Sequence, residues 1–288
     1  MAKSRTSTQT TIMHRHTSNG VKLLIYGDVV GKLGRAGVKL TIDEWKQKHG
    51  IDIVVANIEN IAHGKGIGRS QIAELASAGV EIFTGGNHSI EGKDADIILN
   101  DETIPITRPL NMLPQTPGRG FLMFEKPTLP HPLLVINLMG QVNMKQHHNS
   151  PFYAADSALA EYGEATPWKI VDWHAEATSE KEIMGRYLDG KVSVVFGTHT
   201  HIPTADAQIL PSGTGYISDI GMVGPYHSII GVDVPSALVR FKQQVTHPPL
   251  HVVETGPIEV NAIVVELDNT GRAVDIRHLR TIIEHYTI

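Results

Sequence analysis

Two histidines that follow residues 192–196 are the clearest candidates for chemistry in this chain. Residues 192–196 form an apolar run, Gly197 comes next, and His199 and His201 follow at alternate positions. Glycine lets the backbone turn without a Cβ clash. Alternate side chains of an extended segment point to the same side, so both imidazoles can approach one ion. The spacing therefore predicts a metal-binding loop at the end of a strand.

Four other loops after predicted strands carry side chains that bind metals in proteins. They hold Asp28, the pair Glu59 and Asn60, the pair Asn87 and His88, and His174. Taken alone, Asp28 is equally well explained by a turn, and a histidine such as His174 is more often a hydrogen-bonded structural residue than a ligand. Five such loops in one chain predict a shared site instead.

A carboxylate among imidazole and amide ligands favours a centre with two metal ions. A carboxylate can bridge two cations while imidazoles and amide oxygens complete each shell and leave positions for water. Glu59 is the candidate bridge. Two ions about 3.5 to 4 Å apart clamp the attacking and leaving oxygens of a phosphoryl displacement and lower the pKa of bound water. The pattern therefore predicts phosphoryl chemistry.

The composition limits ligands, partners and location. The chain has 288 residues, 16 histidines and no cysteine, which excludes thiolate metal sites and disulfides. A formal net charge of -5 argues against a DNA-binding face, which shows clustered Lys and Arg. No apolar run approaches the roughly 18 residues of a membrane span, and residues 1–20 lack the apolar core of a signal peptide. We therefore expect a cytoplasmic enzyme with no membrane segment.

The first half of the chain alternates predicted strands with predicted helices. Strands are expected at residues 21–26, 51–57 and 80–84, and helices at residues 35–48, 70–77 and 91–100. This alternation predicts parallel βαβ units. In such sheets functional groups gather at the carboxyl ends of the strands, where the candidate ligands lie.

The second half is richer in strands. We predict strands at 104–106, 120–125, 133–138, 168–172, 192–196, 207–210 and 215–218, helices at 151–162, from about 180 and at 235–243, a glycine-rich loop at 219–224, and a hairpin of 260–267 with 273–280. The halves together predict an α/β protein of two sheets packed face to face with helices outside. Residues 1–20 show no periodicity and are predicted to be a disordered extension, followed by a single domain over residues 21–288.

Longer motifs around the candidate ligands make the chain recognisable. They are Gly27-Asp28-Val29-Val30-Gly31, Glu59-Asn60 with Ala62-His63-Gly64-Lys65-Gly66, Gly86-Asn87-His88, His174-Ala175-Glu176-Ala177-Thr178-Ser179-Glu180-Lys181 and Gly197-Thr198-His199-Thr200-His201. In this order they closely resemble the YmdB-like family of bacterial metallophosphoesterases, part of the calcineurin-like superfamily. The resemblance runs from about residue 21 to residue 283.

The resemblance implies a fold, a cofactor and an activity. The fold is a four-layer α/β/β/α sandwich of two mixed sheets, with a dinuclear iron or manganese-type centre and phosphodiesterase activity toward cyclic nucleotides. Carried over by motif, the ligands of one metal would be Asp28, Asn60 and His201, those of the other Asn87, His174 and His199, with Glu59 between them. His88 would be the acid that protonates the leaving alcohol, and homo-oligomers are a family expectation.

Two features depart from the patterns of the relatives. Val30 stands where the wider superfamily has the histidine of an Asp-x-His motif, and its bridging aspartate is Glu59 here; Asn60 would supply the missing ligand. Within the YmdB-like branch an aromatic residue commonly follows the Asn-His pair by two places, whereas this chain has Ile90. The departure at Ile90 concerns substrate stacking and leaves the metal ligands intact.

Several other segments invite a functional interpretation. Gly64-Lys65-Gly66-Ile67-Gly68 does not have the spacing of a phosphate-binding P-loop. The segment that holds Gly221, Met222 and Tyr226 is either part of the substrate pocket or an ordinary turn. His63 either approaches the phosphate or forms a structural hydrogen bond.

The function that these observations predict is a metal-dependent phosphodiesterase. A metal-activated hydroxide would attack phosphorus in line, and His88 would donate the proton. Fe or Mn is expected at the two sites and Zn also fits; the substrate is a small phosphodiester, with 2',3'- and 3',5'-cyclic nucleotides both open. One alternative is a metal-bound regulatory protein that senses a nucleotide with incidental turnover. The other is a dinuclear amidase or peptidase.

Overall fold

The computed structural model describes residues 20–145 and 148–286 of the chain. The first half alternates strands and helices as the sequence predicts: β1 (Gly20–Val29), α1 (Gly31–His49), β2 (Ile53–Asn57), α2 (Arg69–Ala78), β3 (Ile82–Thr84) and α3 (Ala95–Leu99). Gly20 pairs with Asp268 as the first residue of β1, so the predicted extension is one residue too long; its other residues lie outside the described ranges.

The second half contains most of the strands. Its elements are β4 (Phe121–Phe124), β5 (Leu133–Met139), α4 (Pro151–Tyr162), a short 3-10 helix (Gly163–Ala165), β6 (Trp168–His174), α5 (Thr178–Leu188), β7 (Val194–Thr198), β8 (Gln208–Ile209), β9 (Gly215–Ile217), β10 (Met222–Pro225), α6 (Val234–Gln243), β11 (Ile258–Asp268) and β12 (Ala273–Ile283). Among the described residues, no helix is long and apolar enough to cross a membrane.

Two mixed sheets of six strands form the centre of the protein. The first has the strand order β12-β11-β10-β1-β2-β3 and the second β4-β5-β6-β7-β9-β8. Within them β1 runs parallel to both β2 and β10, and β5, β6, β7 and β9 are parallel to one another. The candidate ligands lie at or just beyond the carboxyl ends of these parallel strands.

The side chains of β1 show why the sheets stack with helices outside. Leu23 and Ile25 belong to an apolar cluster shared with the second sheet, whereas Leu24 and Tyr26 pack with residues of α1 and α2. A third cluster joins the second sheet to α4 and α5. A fully buried aliphatic side chain contributes about 1.5 to 3 kcal/mol relative to exposure, so this alternation stabilises all four layers. The predicted α/β/β/α sandwich is confirmed.

Some predicted boundaries are wrong, for reasons that involve tertiary contacts. Residues 222–224 of the predicted loop 219–224 belong to β10, whose backbone is hydrogen-bonded between β1 and β11. Residues 104–106 form no strand and share only an isolated bridge between Ile106 and Phe83. The helix predicted at 91–100 shrinks to Ala95–Leu99, because Gly92 has a φ of 115°, a left-handed conformation that a helix does not accept.

Candidate metal centre

The rims of the two sheets meet where the carboxyl ends of strands and the loops after them converge. Asp28 lies inside β1 and His174 is the last residue of β6, so the prediction that both lie in loops after the strands is wrong. Asp28 lies opposite Asn57 in the first sheet, and His174 lies opposite Thr198 in the second. The backbone N–H of His199 donates to Asp28 Oδ2 at 3.1 Å, which joins the two rims directly. Residues that are 171 positions apart along the chain therefore line one site.

Three side chains form the centre of this site. The nearest ligand atoms of Glu59, His174 and His199 all lie within 4.8 Å of one another. His174 Nε2 is 3.3 Å from Glu59 Oε1 and 3.0 Å from His199 Nδ1. One carboxylate oxygen and two imidazole nitrogens thus face a common point.

A second group adjoins the first through Glu59. Asn60 Nδ2 lies 3.1 Å from Glu59 Oε1 and 3.3 Å from His201 Nε2, and that imidazole is 3.8 Å from Asp28 Oδ1. Asp28 is fully buried, and its Oδ1 has no hydrogen-bond partner among the residues that the structure describes. An unpaired buried carboxylate oxygen is costly, and a bound cation would satisfy it.

Asn87 completes the set from the loop after β3. Its Oδ1 is 3.0 Å from His174 Nε2. A Cβ on the preceding residue, Gly86, would lie 2.2 Å from His174 Nε2 and 2.4 Å from Glu59 Oε2. Only glycine allows the Asn87 loop to approach these two side chains so closely.

The donor set fits metal ions. Carboxylate, amide and imidazole groups suit iron, manganese and zinc, and the geometry supplies them in two adjacent groups that share Glu59. The orphaned oxygen of Asp28 is a further position that a cation would fill. The structure therefore brings together all seven side chains that the sequence singles out as ligands, and their roles as ligands stay a prediction.

The electrostatics of the centre couple Glu59 to His174. Burial opposes the ionisation of Glu59, but the charge of His174 and its hydrogen bonds outweigh it and lower the pKa of the carboxyl to about 2. Burial likewise opposes a charge on His174, but Glu59, Asp28 and Asp172 raise its pKa to about 9. In the absence of metal the two groups form a buried ion pair.

Burial is the largest cause of the pKa shifts at His199 and Asp28. Burial and the neighbouring charge of His174 lower the pKa of His199 to about 3, so its imidazole is neutral at pH 7 and can act as a ligand. Burial raises the pKa of Asp28, and the nearby His201 and His174 only partly offset this. Both shifts indicate groups held away from water for interaction with another charge.

A buried polar network behind His174 was not predicted from the sequence. Asp172 Oδ1 accepts from Thr198 Oγ1 at 2.7 Å, and His174 Nδ1 is 2.9 Å from that hydroxyl. Since the hydroxyl proton goes to Asp172, His174 Nδ1 must donate, which turns Nε2 toward the site. Asn57 Nδ2 also donates to Asp172 at 3.0 Å. Burial raises the pKa of Asp172 to about 6. The only sequence signal was a charged residue inside an apolar strand.

The loop of His199 and His201 differs from the extended segment that the spacing predicts. β7 ends at Thr198, and the two histidines have φ values of 95° and 66°. Positive φ is uncommon for residues other than glycine and costs energy. Both imidazoles nevertheless reach the site, and His201 Nδ1 donates to Ile230 O at 2.9 Å. The structure brings the two histidines together, but not in the extended geometry from which the sequence predicted it, and their binding of a metal stays a prediction.

His88 stands at the mouth of the site. Its backbone N–H donates to Glu59 Oε2 at 2.8 Å. Its side chain borders two cavities, of about 290 Å³ and about 230 Å³, and so does His199. The larger one is lined by Glu59, Asn60, Gly64, His88, Glu176, His199, Thr200, His201 and Ile230. A small substrate in this cleft would lie against both the candidate ligands and His88.

The remaining predicted residues lie at different distances from the centre. Gly221 O accepts from the Asp28 N–H, and Met222 N donates to His201 O at 3.1 Å, so both buried residues support ligands through the backbone. Tyr226 lies beyond β10 with its ring 4.8 Å from that of His227. His63 lines a separate open cavity of about 810 Å³. Contact of these four residues with substrate stays a prediction.

The family model for YmdB-like proteins matches residues 24–279. A 2',3'-cyclic-nucleotide 2'-phosphodiesterase of Bacillus subtilis is 39% identical over 261 residues, which cover 90% of this chain and 96% of the relative. A crystal structure of a novel phosphatase from Mycoplasma pneumoniae superposes with a TM-score of 0.86 at 33% identity, over 93% of this chain and 95% of that one. A hypothetical protein from Thermus thermophilus gives a TM-score of 0.84 at 39% identity, over 91% of this chain and 100% of that one.

The sandwich and the cluster at its rim define a metallophosphoesterase of the calcineurin-like type, a hydrolase that acts on phosphoesters. Within that class, the chain belongs to the YmdB-like family.

Proposed function

We propose that this enzyme is a phosphodiesterase that uses two metal ions and hydrolyses cyclic nucleotides. Asp28, Asn60 and His201 would hold one ion and Asn87, His174 and His199 the other, with Glu59 shared. The observation that carries the proposal is the convergence of Glu59, His174 and His199 within 4.8 Å beside a cleft bordered by His88. The name of the Bacillus relative supports a cyclic nucleotide as substrate, with 2',3'- and 3',5'-cyclic forms to be distinguished.

The metals would supply charge and an activated nucleophile. Two bound ions, iron or manganese by preference and zinc as a further option, would neutralise the phosphate and lower the pKa of water. The bound ions would also make the cleft locally positive although the chain as a whole is acidic, since bound cations are the largest local charges in such a site.

The side chains of the chain itself orient the substrate and handle the proton. His88 donates a proton to the leaving oxygen, and the bond from its backbone to Glu59 fixes its place relative to the ligands. Glu176 Oε2 lies 3.1 Å from His199 Nε2 and lines the same cleft, so its carboxylate holds this imidazole in place. His63, Gly221, Met222 and Tyr226 are the proposed substrate-side residues.

Single substitutions of the ligands test the proposal. Asp28→Ala and His199→Ala should lower the rate with an aryl phosphodiester by at least about 100-fold and reduce the bound metal measured by elemental analysis. His285→Ala, at an exposed position, is the matched control and should behave as the unaltered protein. Folded Asp28→Ala and His199→Ala proteins with the original rate would disprove the mechanism.

A substrate panel separates this function from its alternatives. The protein loaded with manganese would be assayed with 2',3'- and 3',5'-cyclic nucleotides and with amide substrates. A nucleotide sensor would bind with negligible turnover, and an amidase would cleave only the amides. Either result would replace the present proposal. A cytoplasmic location and a homo-oligomeric state stay predictions from the sequence.

A further inference from the structure

The glycine-rich segment around Lys65 packs directly against the loop that follows His88. Ile67 N donates to Glu91 O at 3.1 Å. A Cβ on Gly66 would lie 2.5 Å from Glu91 O, and a Cβ on Gly92 would lie 2.5 Å from Ile67 O. The glycines of this segment therefore allow two backbones to touch, which is a role unrelated to phosphate binding.

This contact places one carboxylate between a lysine and a histidine. Glu91 Oε2 is 2.9 Å from Lys65 Nζ, and Glu91 Oε1 is 2.9 Å from His88 Nδ1. Glu91 N also donates to His88 O at 2.9 Å, which closes a turn and brings the side chain at the third position back to the ring. Both oxygens of Glu91 are thereby engaged.

We propose that Glu91, held by Lys65, is a positioning residue that orients the imidazole of His88 for proton donation to the leaving oxygen. The inference rests on the proposed phosphodiesterase function and extends it to residues that bind no metal. A carboxylate that accepts the Nδ1 proton fixes the ring plane and leaves Nε2 as the nitrogen available to substrate.

The charge state of Glu91 agrees with this role. Burial opposes its ionisation, but the hydrogen bonds from His88 and Lys65 outweigh burial and hold the pKa of Glu91 below its usual value. Glu91 is therefore a carboxylate at neutral pH, an acceptor that has no proton to donate to the ring.

His88 supplies the proton that the leaving oxygen takes, and water replaces it afterwards. As the incoming hydroxide forms its bond to phosphorus, the bond between phosphorus and the leaving oxygen breaks. Its electron pair stays on the leaving oxygen, which takes the proton from Nε2 of His88. The ring is left neutral, with its proton on Nδ1 still donated to Glu91. Water restores the second proton before the next turnover.

Leaving-group dependence tests the inference, because a proton donor matters most for a basic leaving group. The two substrates are bis(4-nitrophenyl) phosphate, whose leaving phenolate needs little protonation, and diphenyl phosphate, whose leaving phenolate is more basic. With Glu91→Gln, kcat for diphenyl phosphate should fall at least about 10-fold, whereas kcat for the nitrophenyl ester should stay within about 3-fold. KM should be unchanged for both, and Glu91→Asp should restore part of the loss.

Glu182→Gln is the matched control, because it makes the same change at an exposed ion pair with Arg186. It should leave both rates unchanged. Glu91→Gln with unaltered rates, with equal losses on both esters, or with less bound metal would overturn the positioning role. An unaltered protein that hydrolyses neither ester would instead refute the phosphodiesterase function, and this inference with it.

Discussion

Lys181 Nζ lies 3.1 Å from Asp219 Oδ2 inside the protein, and the pair holds both ends of the histidine loop. The lysine also donates to Thr198 O at 2.6 Å, and the carboxylate accepts from Thr200 N and Gly221 N. The backbone on either side of His199 is thus fixed by one buried ion pair. The left-handed conformation of the loop depends on these bonds.

Removal of the lysine should therefore be costly. Lys181→Met leaves Asp219 buried without its counter-charge, and breaking a buried pair in this way costs about 3 to 5 kcal/mol of the free energy of unfolding. Urea denaturation of the metal-free protein would measure the loss. Lys191→Met, at an exposed pair with Asp156, should cost less than about 1 kcal/mol. Equal effects of the two substitutions would contradict the role assigned to Lys181.

Gly86 is expected to be essential for metal binding. The Cβ of an alanine there would collide with His174 Nε2 at 2.2 Å, so Gly86→Ala should displace the imidazole and lower metal affinity at least about 10-fold. The measurement is a manganese titration of the metal-free protein. Gly163→Ala is the control, since its Cβ would meet nothing closer than 3.8 Å. Unchanged affinity in Gly86→Ala would show that His174 is not a ligand.

Metal uptake at neutral pH should release a proton from His174. Because its pKa is raised from 6.5 to about 9, its contribution to the stability of the metal-free fold is complete below pH 6.5 and is lost as the pH rises through about 9. A metal ligand must be neutral imidazole, so binding at pH 7 expels about one proton from this residue. His199, with its pKa lowered to about 3, contributes none.

Calorimetric titration with manganese in two buffers of different ionisation enthalpy measures this release. The number of protons released should fall by about one as the pH is raised from about 7 to about 10, because His174 is then already neutral, and the apparent affinity should rise over the same range. A release that does not change with pH would contradict the charge assigned to His174.

The convergence of the ligand residues could be predicted from the sequence, whereas the buried polar network of Asp172 could not. Asp28, Glu59 and Asn87 each follow an apolar run, and the carboxyl ends of parallel strands meet at one rim, so local patterns are sufficient. The position of Asp172 is different. Asp172 lies within β6. The alternation of side chains along a strand shows which face a residue is on, but not which residue it contacts. Its hydrogen bonds to Thr198 and Asn57 depend on how the two sheets stack.

β10 shows the same limit for the fold. Gly221 and Gly224 with Pro225 indicate a loop by local preference, yet Met222–Pro225 is a strand because β1 and β11 supply hydrogen-bond partners on both sides. The Lys65–Glu91 ion pair was also missed, because the backbone contact between Ile67 and Glu91 joins segments that sequence patterns treat separately.

The candidate ligands are divided between the two sheets. Asp28, Glu59, Asn60 and Asn87 lie at or just beyond the ends of strands of the first sheet, and His174, His199 and His201 lie at or just beyond the ends of strands of the second. An ion held by both groups would also cross-link the two sheets at this end of the sandwich. Removing such an ion by chelation would therefore remove a cross-link between the two sheets as well as a catalytic group. If the proposed ions are bound there, starvation for metal should weaken resistance to heat and proteolysis at the same time as it stops turnover.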